Sequence, residues 1–115
     1  MKKLRIAQIA PLWITVPPLK YGGIERIIAM LCDGLSAKGH EVTLFASPGS
    51  SAKCKKLISV FEKPFLDANV AWSNPIWNLR NLSLATEMAN KGEFDIVHSH
   101  LDLWALFFHN LTKTP

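Results

Sequence analysis

The spacing of apolar positions changes several times along the chain, and each change predicts an element. Leu4 to Ala10 (LRIAQIA) is a short apolar run stopped by Pro11, the pattern of a buried strand. Residues 11–23 carry three prolines and two glycines, so neither helix nor strand persists there. From Ile24 the spacing turns helical. Ile24, Ile27, Ile28, Leu31 and Leu35 form one stripe that closes at Lys38-Gly39, where lysine suits the helix dipole and glycine the C′ position. Glu41 to Ala46 (EVTLFA) alternates and is β-branched, predicting a second strand. Strand, loop, helix and strand together make a βαβ unit, whose two strands run parallel.

Ser47 to Lys56 is a polar loop, and Leu57 to Phe61 (LISVF) predicts a third short strand. Lys63 to Asn74 has no clean period and is read as irregular. Pro75 at the first helical position, with Asn74 as its cap, opens a helix whose Leu79, Leu82, Ala85 and Ala89 form a stripe ending at Lys91-Gly92. Phe94, Ile96 and Val97 in FDIVHSH predict a buried strand that turns polar at its carboxyl end. LDLWALFFHNL, apolar nearly all round, predicts a closing helix before TKTP. There is no internal repeat. Alternating strands and helices predict one α/β domain over residues 1–115, an open parallel Rossmann-like sheet with flanking helices and ligands at the carboxyl ends of the strands.

Composition narrows the class. The 115 residues are 49% hydrophobic and 19% charged, which fits a globular domain with a core and excludes a disordered chain or a disulfide scaffold. No apolar run approaches the ~20 residues of a membrane span, and Arg5, Gln8 and Pro11 interrupt the start before a signal-like segment forms. The expectation is a soluble, unexported, cytoplasmic protein. Cys32 and Cys54 stand in no metal-ligand or redox spacing; Cys32 reads as a small buried hydrophobe and Cys54 as a lone thiol among lysines.

The net charge of +4 is uneven. Residues 1–63 hold ten Lys/Arg against four Asp/Glu, whereas the rest hold three against five. These lysines are scattered and not interleaved with aromatics, which argues against nucleic acid. A solvated basic face and a site for a small anion both remain open.

Two places fall on the ligand-binding edge of the predicted sheet. One is the Pro-rich loop with Lys20, Gly22 and Gly23; the other is His98 to Asp102. Residues without Cβ let a ligand approach the backbone, and free N–H groups at a helix start attract an anion beside which Lys20 adds a point charge. The alternative is that the glycines only make a tight turn. Glu25, in the first helical turn, suits the dipole and can accept hydrogen bonds from a hydroxyl-rich ligand. The loop has neither GxGxxG nor GxxxxGK[ST], and Ala46-Ser47 stand where a dinucleotide site has an acidic residue, so nicotinamide and NTPase readings lose support. His98 and His100 share a strand face, but no third ligand is placed by spacing, and they read as hydrogen-bonding groups with no metal expected. His40 reads as a cap or packing residue, and His109 has no evident partner. Trp104, Phe107 and Phe108 read as core or interface.

YGGIER, KGHEVTLFAS and FDIVHSHLD, in this order and spacing, closely resemble the N-terminal domain of family 4 glycosyltransferases of GT-B fold. The resemblance runs over nearly the whole chain. It implies a retaining transfer of a sugar from a nucleotide diphosphate sugar to an acceptor, without a bound metal or other cofactor. Carried onto this sequence, Gly22 and Gly23 lie beside the donor's diphosphate and sugar with Lys20 nearby. Glu25, His98, His100 and Asp102 then line the acceptor side of the cleft.

The family pattern continues with a strand ending in a histidine, and then with a second domain that carries paired glutamates seven residues apart and basic residues for the diphosphate. None of these is in the 115 residues. The chain is therefore expected to hold part of one N-terminal domain, with no catalytic residue of its own and no activity in isolation. An uncovered sheet edge and final apolar segment invite self-association or a second polypeptide carrying the other domain. A non-catalytic α/β binding module is the alternative.

Overall fold

The computed structural model describes residues 2–115. In chain order it has β1 (Arg5–Ile9), α1 (Gly23–Ala37), β2 (Glu41–Phe45), β3 (Lys56–Ile58), α2 (Pro75–Asn90) and β4 (Ile96–Ser99), then two 3₁₀ turns at Trp104–Phe107 and His109–Leu111. The strands form one all-parallel sheet ordered β3-β2-β1-β4. The expected Rossmann-like α/β architecture is present.

β1 lies inside the sheet and is buried on both faces from Ile6 to Ile9. Ala7 and Ile9 pack with Phe45, Leu82, Ala85, Ala89 and Phe94, on the side that α2 covers. Ala10, with Val42, Leu44 and Ala46 from the β2 segment, packs on the other side against Ile28, Ala29 and Cys32 of α1. Two helices on two faces thus seal the sheet, as parallel sheets require. An Arg5–Asp95 fork ties β1 to the approach of β4: Arg5 Nη2 and Nε donate to Asp95 at 2.9 and 3.2 Å, and Arg5 N donates to the same carboxylate at 2.8 Å. This arginine holds the Asp95 carboxyl down to about 2. At the start of β2, His40 accepts from Leu4 N at 3.1 Å, so it joins the feet of β1 and β2.

Both helix ends follow their sequence signals. Asn74 Oδ1 accepts from Ile76 N at 3.0 Å with Pro75 at the first position, and Gly39 and Gly92 stop α1 and α2 with φ of 88° and 79°. The phase of α1 differs from the expected stripe. Ile24 and Ile27 are each 53% exposed, whereas Glu25, Ile28, Ala29 and Cys32 face the sheet. The i, i+3, i+4, i+7 pattern is right but rotated, because small Ala29 and Cys32 let the helix axis approach the sheet closely where a row of isoleucines would hold it off. Burial also pushes the Cys32 thiol up to about 12.

Two other expectations are corrected. The third strand ends at Ile58, since Phe61 turns away to pack against Phe65 and Trp77, at ring distances of 5.5 and 5.0 Å. The closing helix does not form. Asp102 takes a left-handed φ of 53°, and the segment breaks into two 3₁₀ turns that press Trp104, Ala105 and Phe108 on the core and leave Leu103, Leu106, Phe107 and Leu111 exposed. A segment apolar all round has no single face to bury, so one surface of core selects alternate residues. The edge of β4 is not wholly open either, because Val97 N donates to Pro115 O at 2.8 Å.

The phase of α1 gives a direct test. Ile28→Ala is expected to cost about 2–5 kcal/mol by urea denaturation, and Ile27→Ala under about 0.5 kcal/mol. Equal losses would show that the stripe read from spacing is the buried one.

Candidate functional site

Past Ile9 the chain stays buried but has left the ladder, so its backbone groups find partners in other loops. Ala10 N donates to Phe45 O at 2.8 Å, and Ala10 O accepts from Asn81 Nδ2 at 3.3 Å. Leu12 O takes both Phe65 N at 2.8 Å and Ser47 Oγ at 3.1 Å. Val16 N donates to Ser50 Oγ at 2.9 Å, and Val16 O accepts from Ser51 N and Ala52 N. The Pro-rich loop is therefore fixed on both flanks, by the segment after β2 and by residues near Phe65.

This fixed loop explains one of the two glycines. A Cβ on Gly22 would stand 2.7 Å from Ile14 Cδ1, 2.9 Å from Pro18 Cβ and 3.0 Å from Glu25 Oε2, so only glycine fits where the loop folds back on the helix start. Gly22 O then accepts Arg26 N at 3.0 Å, the first bond of α1. At Gly23 a Cβ would meet nothing within 4 Å. Packing does not account for this second glycine. Lys20 is exposed, and its carbonyl accepts from Arg26 Nη2 at 3.2 Å. Glu25 is only 6% exposed, with its carboxylate turned in beneath Gly22.

The second cluster leaves the same edge from the neighbouring strand. β1 and β4 are in parallel register with Gln8 opposite His98 and Ile9 opposite Ser99, and His100 N donates to Ile9 O at 2.9 Å. His98 and His100, both on the Gln8 face, lie with ring centroids 4.2 Å apart. His98 is exposed and His100 half-buried, with His100 Nε2 2.7 Å from Gln8 Oε1. Burial, and then the neighbouring His98, pull His100 down to about 4. Asp102 is exposed at the turn that follows. Lys20, Gly22 and Gly23 thus follow β1, and His98, His100 and Asp102 follow β4, on adjacent strands at one edge of the sheet.

This edge combines free helix-start N–H groups and a lysine with a pair of imidazoles and a carboxylate. It can take an anion on one side and hydroxyl groups on the other. Hollows of about 340 and 270 Å³ lie at the opposite, amino-terminal end of the strands. They are shallow, and in the first Lys3 and Lys55 each pair with Glu41 at 2.8 Å. Among the described residues, no group of three or more His, Cys, Asp or Glu is arranged for a metal. No helix there is long and apolar enough to cross a membrane.

Spacing alone missed Gln8, Asn78 and Asn81. Gln8 is a buried amide within the apolar run Ile6 to Ala10, and that interruption is its signal in the sequence. Asn81 is fully buried with Oδ1 unpaired and Asn78 nearly so. Both face the sheet from α2, and a stripe drawn through leucines and alanines passes them by.

A family model described as Glycosyltransferase Family 4 matches residues 21–114. The chain belongs to this family. The match begins at Tyr21, so it takes in Gly22, Gly23, Glu25, His98, His100 and Asp102 and leaves Gln8 and Lys20 outside. A search among curated proteins finds no match.

In this family 4 chain the unequal surroundings of Gly22 and Gly23 separate packing from ligand approach. Gly22→Ala forces Ile14 and Pro18 aside and is expected to cost about 1–3 kcal/mol. Gly23→Ala is expected to leave stability unchanged or raise it by up to about 1 kcal/mol. Denaturant midpoints of the two variants check this, and a destabilised Gly23→Ala would mean that the helix start is tighter than the contacts show.

Proposed function

We propose that this family 4 chain forms the acceptor-side wall of a retaining glycosyltransferase, which moves a sugar from a nucleotide diphosphate sugar to an acceptor. Family membership carries the reading. The donor's diphosphate is proposed to sit at Gly22 and Gly23 beside Lys20, where α1 begins and where Gly23 has an open flank with no packing role. His98, His100 and Asp102 are proposed to meet the acceptor, with Glu25 supporting the glycine loop from beneath. No resident cofactor or metal is part of this reading, and a cytoplasmic location belongs to it.

Glycosyl transfer needs two substrates held in register and stabilisation of the charge that grows on the leaving diphosphate. One wall of a cleft supplies neither in full. The described edge offers Lys20 and one helix start, and a second wall that carries a nucleotide-binding domain is proposed to complete the cleft. The 115-residue polypeptide alone is therefore expected to bind but not to transfer. A non-catalytic binding module is the second reading, favoured by the openness of this edge.

Calorimetric titration with UDP, GDP and ADP tests the first half. One of them is expected to bind, at least about tenfold more weakly to Gly23→Ala, a difference near 1.4 kcal/mol. Equal binding to both proteins would remove the diphosphate from the glycine loop. Sugar transfer by the polypeptide alone would contradict the one-wall reading, and activity restored by a second domain would exclude the binding module.

A further inference from the structure

We propose that Gln8 is a positioning residue for His100. Its amide oxygen accepts the proton on His100 Nε2, and this fixes the tautomer whose bare Nδ1 is an acceptor for a ligand hydroxyl. The hydroxyl-bearing ligand rests on the glycosyltransferase reading; the state of the ring does not.

Gln8 is 1% exposed and lies on the same sheet face as Ala10, His98 and His100. A buried amide costs free energy unless it is hydrogen-bonded, and the bond its side chain makes is the one to His100, at 2.7 Å. The root of the imidazole is fixed as well, because His100 N donates to Ile9 O at 2.9 Å. His98 covers the ring at 4.2 Å, tilted by 41°. Three constraints, from the backbone, the Gln8 amide and the His98 ring, leave His100 little freedom to turn.

The chemistry of the bond sets the tautomer. Gln8 Oε1 is an acceptor only, so Nε2 carries the hydrogen and Nδ1 keeps its lone pair. Among the described residues Nδ1 has no partner, and it is not among the atoms that are both sealed from solvent and unpaired. It is therefore free to receive a donor from outside. Protonation is opposed from two directions. Burial disfavours the imidazolium, and His98 on the same strand adds repulsion, while β1 contributes the uncharged Gln8. His98 is the one titratable neighbour that acts on it among the described residues. A neutral acceptor fixed in direction discriminates by geometry. A hydroxyl presented along the Nδ1 lone pair is bound, and a ligand lacking it leaves a half-buried acceptor unpaired.

Long-range proton–nitrogen NMR on ¹⁵N-histidine protein reads the tautomer and the titration together. The wild-type His100 is expected to show the Nε2–H form and to stay neutral down to about pH 5, consistent with its lowered value near 4. Gln8→Glu places a carboxylate against Nε2 and is expected to raise the His100 midpoint by about two units or more. Gln8→Asn, an amide on a shorter arm, is expected to keep the low midpoint but mix the tautomers. Methyl glycosides at roughly 50 mM, suited to millimolar affinities, are expected to move the wild-type Nδ1 resonance, and deoxy analogues lacking the contacting hydroxyl are expected not to.

A wild-type His100 in the Nδ1–H form, or one titrating near 6.5, overturns the proposal with no variant needed. An Nδ1 resonance that ignores every glycoside overturns its ligand half. Absence of nucleotide binding would instead defeat the glycosyltransferase reading and leave the tautomer result standing.

Discussion

The constraint on which the rest depends is that β1, at the centre of the sheet, delivers the chain past Ile9 while it is still buried. Backbone groups there must be hydrogen-bonded without a ladder, and an unpaired buried carbonyl costs roughly 1–3 kcal/mol. Ala10, Leu12 and Val16 are satisfied by Asn81, Ser47, Phe65, Ser50, Ser51 and Ala52, which come from three separate segments. Stability and site geometry are thereby the same problem. The bonds that pay for leaving the sheet also aim the glycine loop.

From that anchor the rest of the edge follows. The loop folds back so closely on α1 that Gly22 admits no side chain, and the helix starts at Gly23, where a side chain would meet nothing within 4 Å. The neighbouring strand, in register with β1, brings two imidazoles to the same edge, 4.2 Å apart and tilted by 41°. One half of the edge suits negative charge and the other suits neutral hydroxyl groups. The lysines and arginines that outnumber the acidic residues lie mostly elsewhere. Lys3 and Lys55 are spent on Glu41 at the opposite end of the strands.

Much of the fold was legible because its signals are local. Pro75 after Asn74, glycines at positions 39 and 92, and apolar runs between polar loops fix where elements begin and end. The phase of α1 was not legible, since apolar residues surround much of that helix and only contact with the sheet selects Ile28 and Cys32 over Ile24 and Ile27. The closing segment failed for a related reason: with no polar side of its own, LDLWALFFHNL takes its shape from the core it meets. In the site, the loop and the histidines could be named from spacing and resemblance. Their division of labour could not, because whether Gly22 or Gly23 has room, and whether His100 meets Gln8, are facts of distance between segments far apart in sequence.

The central claim, that ligand chemistry belongs to the carboxyl edge of β1 and β4, is tested most directly by mapping backbone amide shifts as UDP is added to the ¹⁵N-labelled protein. The account predicts the largest changes at Gly22 to Arg26, with smaller ones at Ser99 to Asp102. Changes centred on Lys3, Lys53 and Lys55, around the hollow at the amino-terminal end of the strands, would contradict it.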